Sequence, residues 1–316
     1  MKNIILDTDI GDDIDDALAL SYLCKSKDIN LVGITTVYMN TYKRALLTEV
    51  ILQALNKTHI PVVAGIGKGM TISLKEFNRN VKKHNPRQMD ILKDIKISTE
   101  PLKINVLDFL NDITKRYEGD ITLLTIGALT NIGTFLKKYP NANKRIKEIV
   151  TMGGCFFSTR SEWNIICDPE AASIVVESGI PIRMVGLDVT LQCRLEETNI
   201  KRIERCKKDL CDLLGKLIRL WQKEVGRDPF TKRTRVPNLH DPLAAIAINH
   251  PEVLKFEPFC IKVETKGKYT RGMTVLTSLG WNYGWKLVPG CKSNVLVATE
   301  VNVKKVIDIF MDAILR

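Results

Sequence analysis

Short apolar runs alternate along this chain with segments whose apolar residues recur at helical spacing. Ile4 to Leu6, Leu31 to Val37, Pro61 to Ala64, Ile121 to Ile126, Ile149 to Met152 and Ile182 to Leu187 are too short for helices and read as buried strands. Between and after them, Ala17 to Cys24, Tyr42 to Leu55, Asn131 to Lys138 and Asp168 to Ser178 read as helices, and Val301 to Leu315 as a closing one. Such alternation predicts an α/β chain with a Rossmann-like, open, mostly parallel sheet and helices on both faces. No linker-like composition or internal repeat marks a boundary, so residues 1–316 are expected to form one domain. Gly65, Gly127, Gly153-Gly154 and Asp188 follow strand ends, where open α/β sheets bind ligands. The polar, irregular stretch from Lys68 to Thr99 is expected to form loops on that side.

Composition changes this picture little. The formal charge of +11 raises the possibility of an anionic partner. In the most basic stretch, Lys201 to Arg235, however, Leu210, Leu213, Leu214, Leu217 and Leu220-Trp221 recur at helical spacing. An amphipathic helix with a solvated basic face accounts for that, and no aromatic residues interleave with the charges, so no nucleic-acid partner is expected. The start lacks a signal-peptide pattern and no apolar run reaches membrane length. The 8 cysteines lack paired metal-ligand spacing. Reduced thiols and a cytoplasmic location, with no membrane partner, are the expectation.

The chemistry concentrates at the first strand end, where Asp7, Asp9, Asp12, Asp13, Asp15 and Asp16 fall within ten residues. One or two aspartates would be an ordinary helix-capping turn. Six repel one another unless a cation or a ligand's hydroxyls neutralise them. Other polar constellations lie further on: Thr35-Thr36 with Asn40, Leu129-Thr130-Asn131-Ile132, Glu162-Trp163-Asn164, Asp168-Pro169-Glu170 and His240-Asp241-Pro242. Each alone is compatible with helix capping, and Asp168-Pro169 is an ordinary helix start.

Taken in order, with Met152-Gly153-Gly154 and Thr270-Arg271-Gly272-Met273-Thr274-Val275, these motifs resemble the inosine–uridine-preferring nucleoside hydrolases over nearly the whole chain. The resemblance implies a Rossmann-like fold, a calcium ion at the strand ends and hydrolysis of the N-glycosidic bond of ribonucleosides, as in nucleoside salvage. In that family an aspartate activates a metal-bound water. Carried over by motif, Asp9, Asp16, Asp241 and the backbone carbonyl of Ile126 match the metal ligands, and calcium favours such oxygen donors. Asp15, Asn40, Glu162 and Asn164 match the sugar-binding positions, and their oxygens suit hydroxyl donors. Asp9 is then the base for the attacking water, and His240 the acid for a departing purine. The family also implies a homo-dimer or homo-tetramer and a small ribonucleoside as substrate.

Two departures stand out. The family has Asp-Pro-Gly, one residue, then Asp-Asp; here Ile10 replaces the proline, and Asp12, Asp13 and Ile14 separate Gly11 from Asp15-Asp16. Aligning on the helix start keeps both acids, with two residues inserted. An ungapped alignment selects Asp13 and Ile14 instead. The family's histidine-and-glycine loop over the base reads His84-Asn85-Pro86-Arg87-Gln88, so His84 either faces the base or lies on the surface. The base contacts around Trp221, Lys223 and Phe230 stay open, as does the choice between purine and pyrimidine. Two other functions remain: a catalytically silent or unusual-substrate ribosyl-binding relative, and a haloacid-dehalogenase-like phosphohydrolase with Asp7 as nucleophile. The latter lacks its downstream metal motif. A plain calcium-binding module is disfavoured because Leu18 stands where a helix-loop-helix calcium site needs an acid.

Overall fold

The computed structural model describes residues 1–71, 84–279, 286–287 and 294–316. Eight strands form the central sheet: β1 (Lys2–Thr8), β2 (Ile29–Thr36), β3 (Val62–Ala64), β4 (Ile121–Thr125), β5 (Glu148–Met152), β6 (Ile182–Val185), β7 (Leu254–Phe259) and β8 (Val295–Val301). Their order is β3-β2-β1-β4-β5-β6-β8-β7, and every pairing is parallel except β8 with β7. The chain therefore winds outward in both directions from β1. The crevice between the C-terminal ends of β1 and β4 is the switch point at which such sheets bind ligands.

Strand alternation divides the core. Ile4 and Leu6 point to one face and Ile5 to the other, and all three are fully buried. The first face packs against α1 (Asp15–Lys25), α2 (Thr41–Ala54), α8 (Glu197–Arg205), α9 (Asp209–Val225), α10 (His240–Asn249) and α11 (Val303–Leu315). The second packs against α3 (Val106–Arg116), α4 (Thr130–Lys138) and α6 (Pro169–Val176). Two short helical turns, α5 (Trp163–Cys167) and α7 (Leu187–Thr190), sit beyond strand ends. Among the described residues no helix is long and apolar enough to cross a membrane.

The predicted architecture is present, with local corrections. Val295–Val301 is a strand, rich in valine, and the closing helix begins after Asn302, whose side chain accepts from Lys305 N. The strand at Ile182 stops at Val185; Asp188 lies in α7, where its carboxylate accepts the N–H groups of Phe156 and Phe157. Within the basic stretch from Lys201 to Arg235, the expected amphipathic helix is α9, with Leu210, Leu213, Leu214, Leu217 and Trp221 buried; the end of α8 precedes it and an irregular tail follows. Part of the expected 68–99 loop is a 3-10 helix, Arg87–Asp94, packed on α2 and α9; residues 72–83 lie outside the described residues. Cys260 is disulfide-bonded, against the expectation of reduced thiols throughout.

Helices α4 and α6 touch at Gly133. A Cβ built there would stand 2.7 Å from Ala171 Cα and 2.8 Å from its carbonyl oxygen, both backbone atoms. Alanine gains about 1 kcal/mol of helix propensity over glycine, whereas overpacking costs about 1–3 kcal/mol. Gly133→Ala is therefore expected to lower stability by about 1 kcal/mol, the middle of a net range of about 0–2 kcal/mol, read from equilibrium urea unfolding. A raised midpoint would show that the two helices separate at less cost than the propensity gained.

Candidate functional site

The acidic loop runs from the end of β1 into α1. Asp15 and Asp16 occupy the first turn of α1, and Asp241 the first turn of α10. Helix N-termini favour carboxylates, and α1 packs against α10, so the two N-termini converge. The candidate ligand oxygens of Asp15, Asp16 and Asp241 lie within 4.8 Å of one another, all buried. Asp9, just past β1, and Ile126, just past β4, line the same cavity of about 1000 Å³. Its walls also include His84, Arg87, Met152, Glu162, Asn164 and His240. Ile14 is fully buried, which favours the alignment with two inserted residues; the ungapped one would need a ligand at a core position.

Burial and mutual repulsion dominate the electrostatics. Burial first, then the neighbouring acids, raise Asp15, Asp16 and Asp241 well above the usual carboxylate range. Burial pushes Asp9 up to about 6, opposed by the Arg44 guanidinium and reinforced by Asp12 and Asp13. Hard, crowded carboxylate oxygens beside a backbone carbonyl are the donor set that a divalent cation such as calcium or magnesium takes. The residues therefore fit a metal, and a cation would relieve the repulsion that holds these acids up.

The other candidate residues divide. The Glu162 carboxylate accepts the N–H groups of Gly154, Asn164 and Ile165 at 2.9–3.1 Å, and burial pushes it up to about 7. Asn164 donates through Nδ2 to the carbonyls of Ile126 at 3.1 Å and Met152 at 3.2 Å. Both line the cavity. Asn40 does not: it caps α2, accepting from Lys43 N at 3.2 Å and donating to the His84 carbonyl at 3.3 Å, while its neighbour Met39 lines the wall. His84 lines the cavity with Nε2 3.2 Å from Asp12 Oδ2. His240 sets Nδ1 2.7 Å from the Thr190 hydroxyl, and burial pushes its imidazole down to about 4, which favours the neutral ring. Trp221 lines the cavity; Lys223 and Phe230 are exposed and do not.

Sequence reasoning missed Arg44. Its side chain is fully buried; Nε donates to the Tyr38 carbonyl at 2.7 Å, Nη1 to the carbonyls of Asp9 and Ile10, and Nη2 to Asp12 Oδ2 at 2.6 Å. Burial pushes the Asp12 carboxyl up, but the His84 hydrogen bond and Arg44 together hold it well below the usual range. Tyr38 and Met39 both have left-handed φ, 68° and 60°, a conformation that costs bulky residues of order 1–3 kcal/mol each and clusters at functional sites. The available signal was spacing, since Arg44 shares an inward helical stripe with Leu47, Thr48 and Ile51. Asp7 also differs from its neighbours. Its Oδ1 accepts from Thr35 and, at 2.7 Å, from Asn131, so it ties β1 to β2 and α4 instead of facing the cavity. A phosphohydrolase nucleophile at Asp7 would have no access to substrate.

A family model described as inosine-uridine preferring nucleoside hydrolase matches residues 4–308. The chain is similar to the pyrimidine-specific ribonucleoside hydrolase RihA of Shewanella woodyi, 30% identical over 99% of this chain and 98% of that protein. Among solved structures, it is similar to a purine-preferring ribonucleoside hydrolase from Gardnerella vaginalis, with a TM-score of 0.83, 28% identity and coverage of 99% and 98% of the two chains. A plant nucleoside hydrolase, PpNRh1, has the same fold, with a TM-score of 0.83 at 23% identity over 99% of this chain and 98% of that one.

The acid cluster gives stability a pH dependence of defined sign. Carboxylates whose folded pKa lies above the unfolded value near 3.9 contribute stability below that value. They lose it as pH rises through the folded value, about 6 for Asp9. With chelator, stability is therefore expected to fall between pH 5 and pH 8. If these acids hold a cation, calcium at about 100 times its Kd would add about 2.7 kcal/mol, and deprotonated ligands would bind it better, so the gain in Tm should be larger at pH 8. Thermal unfolding with chelator and with calcium at both pH values checks this; equal gains would mean that these acids are not its ligands.

Proposed function

The chain belongs to the inosine–uridine-preferring nucleoside hydrolase family, and from that premise we propose that it hydrolyses the N-glycosidic bond of ribonucleosides to free base and ribose. The observation that carries this reading is the convergence of Asp9, Asp15, Asp16 and Asp241 on a cavity that also holds Glu162 and Asn164. Asp9, Asp16, Asp241 and the Ile126 carbonyl are the proposed calcium ligands. When bound, calcium supplies charge neutralisation, a hold on hydroxyl oxygens and a lower pKa for water.

The protein's own groups divide the remaining work. Asp9 takes the proton from the attacking water, its carboxylate lying in the cavity beside the proposed cation site. Asp15, Glu162 and Asn164 accept or donate to ribose hydroxyls, with the backbone N–H groups on Glu162 and the carbonyls on Asn164 fixing both side chains. Asn40 acts at one remove, by holding the His84 backbone. The surrounding carboxylates favour the oxocarbenium-like charge that develops as the glycosidic bond breaks. His240, kept neutral by burial, serves as a hydrogen-bonding neighbour of the base rather than a charged acid. The proposed setting is nucleoside salvage in the cytoplasm, with the protein acting as a homo-dimer or homo-tetramer.

Incubation with inosine, uridine, cytidine and adenosine separately, followed by assay of free ribose, tests the reading. Ribose release that a chelator abolishes is expected. Asp9→Asn should lower kcat by about 10²–10⁴-fold, and Asp16→Ala should abolish both turnover and the calcium response. No ribose from any substrate, with folded, calcium-loaded protein, would point to the ribosyl-binding relative that the inserted residues keep in view.

A further inference from the structure

Beyond the family's pattern, the first loop carries two extra residues, and the extra Asp12 meets the loop that follows residue 83. Asp12 Oδ2 accepts from Arg44 Nη2 at 2.6 Å and stands 3.2 Å from His84 Nε2. The Arg44 side chain is 0% exposed, Asp12 31% and His84 17%, so the three run from the core to the cavity wall. The contact is fixed on both sides. Gln88 N donates to the Gly11 carbonyl at 2.8 Å, Gln88 Nε2 to the Asp13 carbonyl, and Asn40 Nδ2 to the His84 carbonyl at 3.3 Å. Gly11 has φ 120° and lies so close to Pro86 that a Cβ there would meet the Pro86 Cβ at 2.7 Å. The two loops are thus docked, and a buried arginine aims the inserted carboxylate at an imidazole in the cavity.

We propose that Asp12 is the positioning residue that holds His84 as the proton donor to the departing base. The inference rests on the hydrolase reading above. A carboxylate on one ring nitrogen orients an imidazole for proton transfer at the other; His240, by contrast, has a hydroxyl partner. As the C1′–N bond breaks, its electron pair goes to the base nitrogen, which takes the proton from His84 Nδ1. The hydroxyl of water bonds to C1′, and the remaining water proton goes to Asp9. Asp9 then releases that proton to solvent and His84 regains one, so the sum is nucleoside plus water to base plus ribose.

The test compares nucleosides with p-nitrophenyl β-D-ribofuranoside, whose phenolate leaves without a proton. On uridine or inosine, His84→Gln should lower kcat by about 10²-fold or more and Asp12→Asn by about 10-fold or more, with the double variant no worse than His84→Gln. On the aryl riboside each variant should stay within about three-fold of the wild type, because no leaving-group protonation is needed. That second substrate also reports whether fold and cation site survive. Asp12→Asn with wild-type nucleoside turnover overturns the proposal. So does an equal loss on both substrates, which would mean that Asp12 acts only by neutralising Arg44. A wild type inactive on both substrates overturns the hydrolase reading, and this inference with it.

Discussion

Like charge gathered in a buried place is the constraint from which the rest of this molecule follows. Asp9, Asp15, Asp16 and Asp241 converge where β1 ends and where α1 and α10 begin. Ligand oxygens of Asp15, Asp16 and Asp241 lie within 4.8 Å of one another, and at an effective dielectric of about 20 a charged pair at such a separation repels by about 3–4 kcal/mol. Two helix N-termini return about 0.3–1 kcal/mol per carboxylate, up to about 2 in partly buried settings. The dipoles therefore do not offset the loss of solvent and the mutual repulsion, and burial first, then the neighbouring acids, raises these carboxyls above their usual range. A divalent ion brings the missing charge at the right place, and the same demand for positive charge favours a sugar that becomes cationic as its bond to the base breaks.

Arg44 is the protein's own share of that counter-charge. It is spent on loop carbonyls as much as on acids: those of Asp9, Ile10 and Tyr38 all accept from it. A buried guanidinium with its donors engaged fixes the loops that follow β1 and β2. It also secures the left-handed Tyr38 and Met39, whose N–H groups reach the carbonyls of Ile66 and Gly67. Asp12, 31% exposed, is one acceptor among several, so loss of its carboxylate leaves the guanidinium held by the carbonyls of Asp9, Ile10 and Tyr38.

Much of this was legible in the residue order. Short continuous apolar runs located the parallel strands, because both faces of the sheet are buried, and period-3.6 patterning located most helices. The acid cluster, Glu162, Asn164 and Asp241 were readable because six acids in one loop, and the ordered set of motifs, exceed what helix capping alone asks for. What escaped depends on tertiary neighbours. Arg44 looks like any helical arginine until α2 is packed against the first loop. Asn40 carries a sugar-binding motif position, yet its side chain is taken by a helix N-terminus and the His84 carbonyl. The imidazole of His240 reads as a neutral-pH acid in sequence, whereas its burial shifts it toward the neutral ring.

The inserted residues show why a loop of this kind tolerates extra length. Ile14 remains in the core and Asp15 and Asp16 remain in the first turn of α1, so the added residues bulge from the loop without displacing either acid. The bulge is received by Gln88, His84 and Arg44, groups that lie on the cavity wall or directly behind it. The extra length thus lies between two fixed points, the end of β1 and the start of α1. On the proposed reading, the carboxylates that hold the cation and the sugar are anchored by strand and helix ends. The groups meeting the base are anchored by the insertion and the His84 loop. The two can then change independently, a separation that accommodates one relative named pyrimidine-specific and another named purine-preferring.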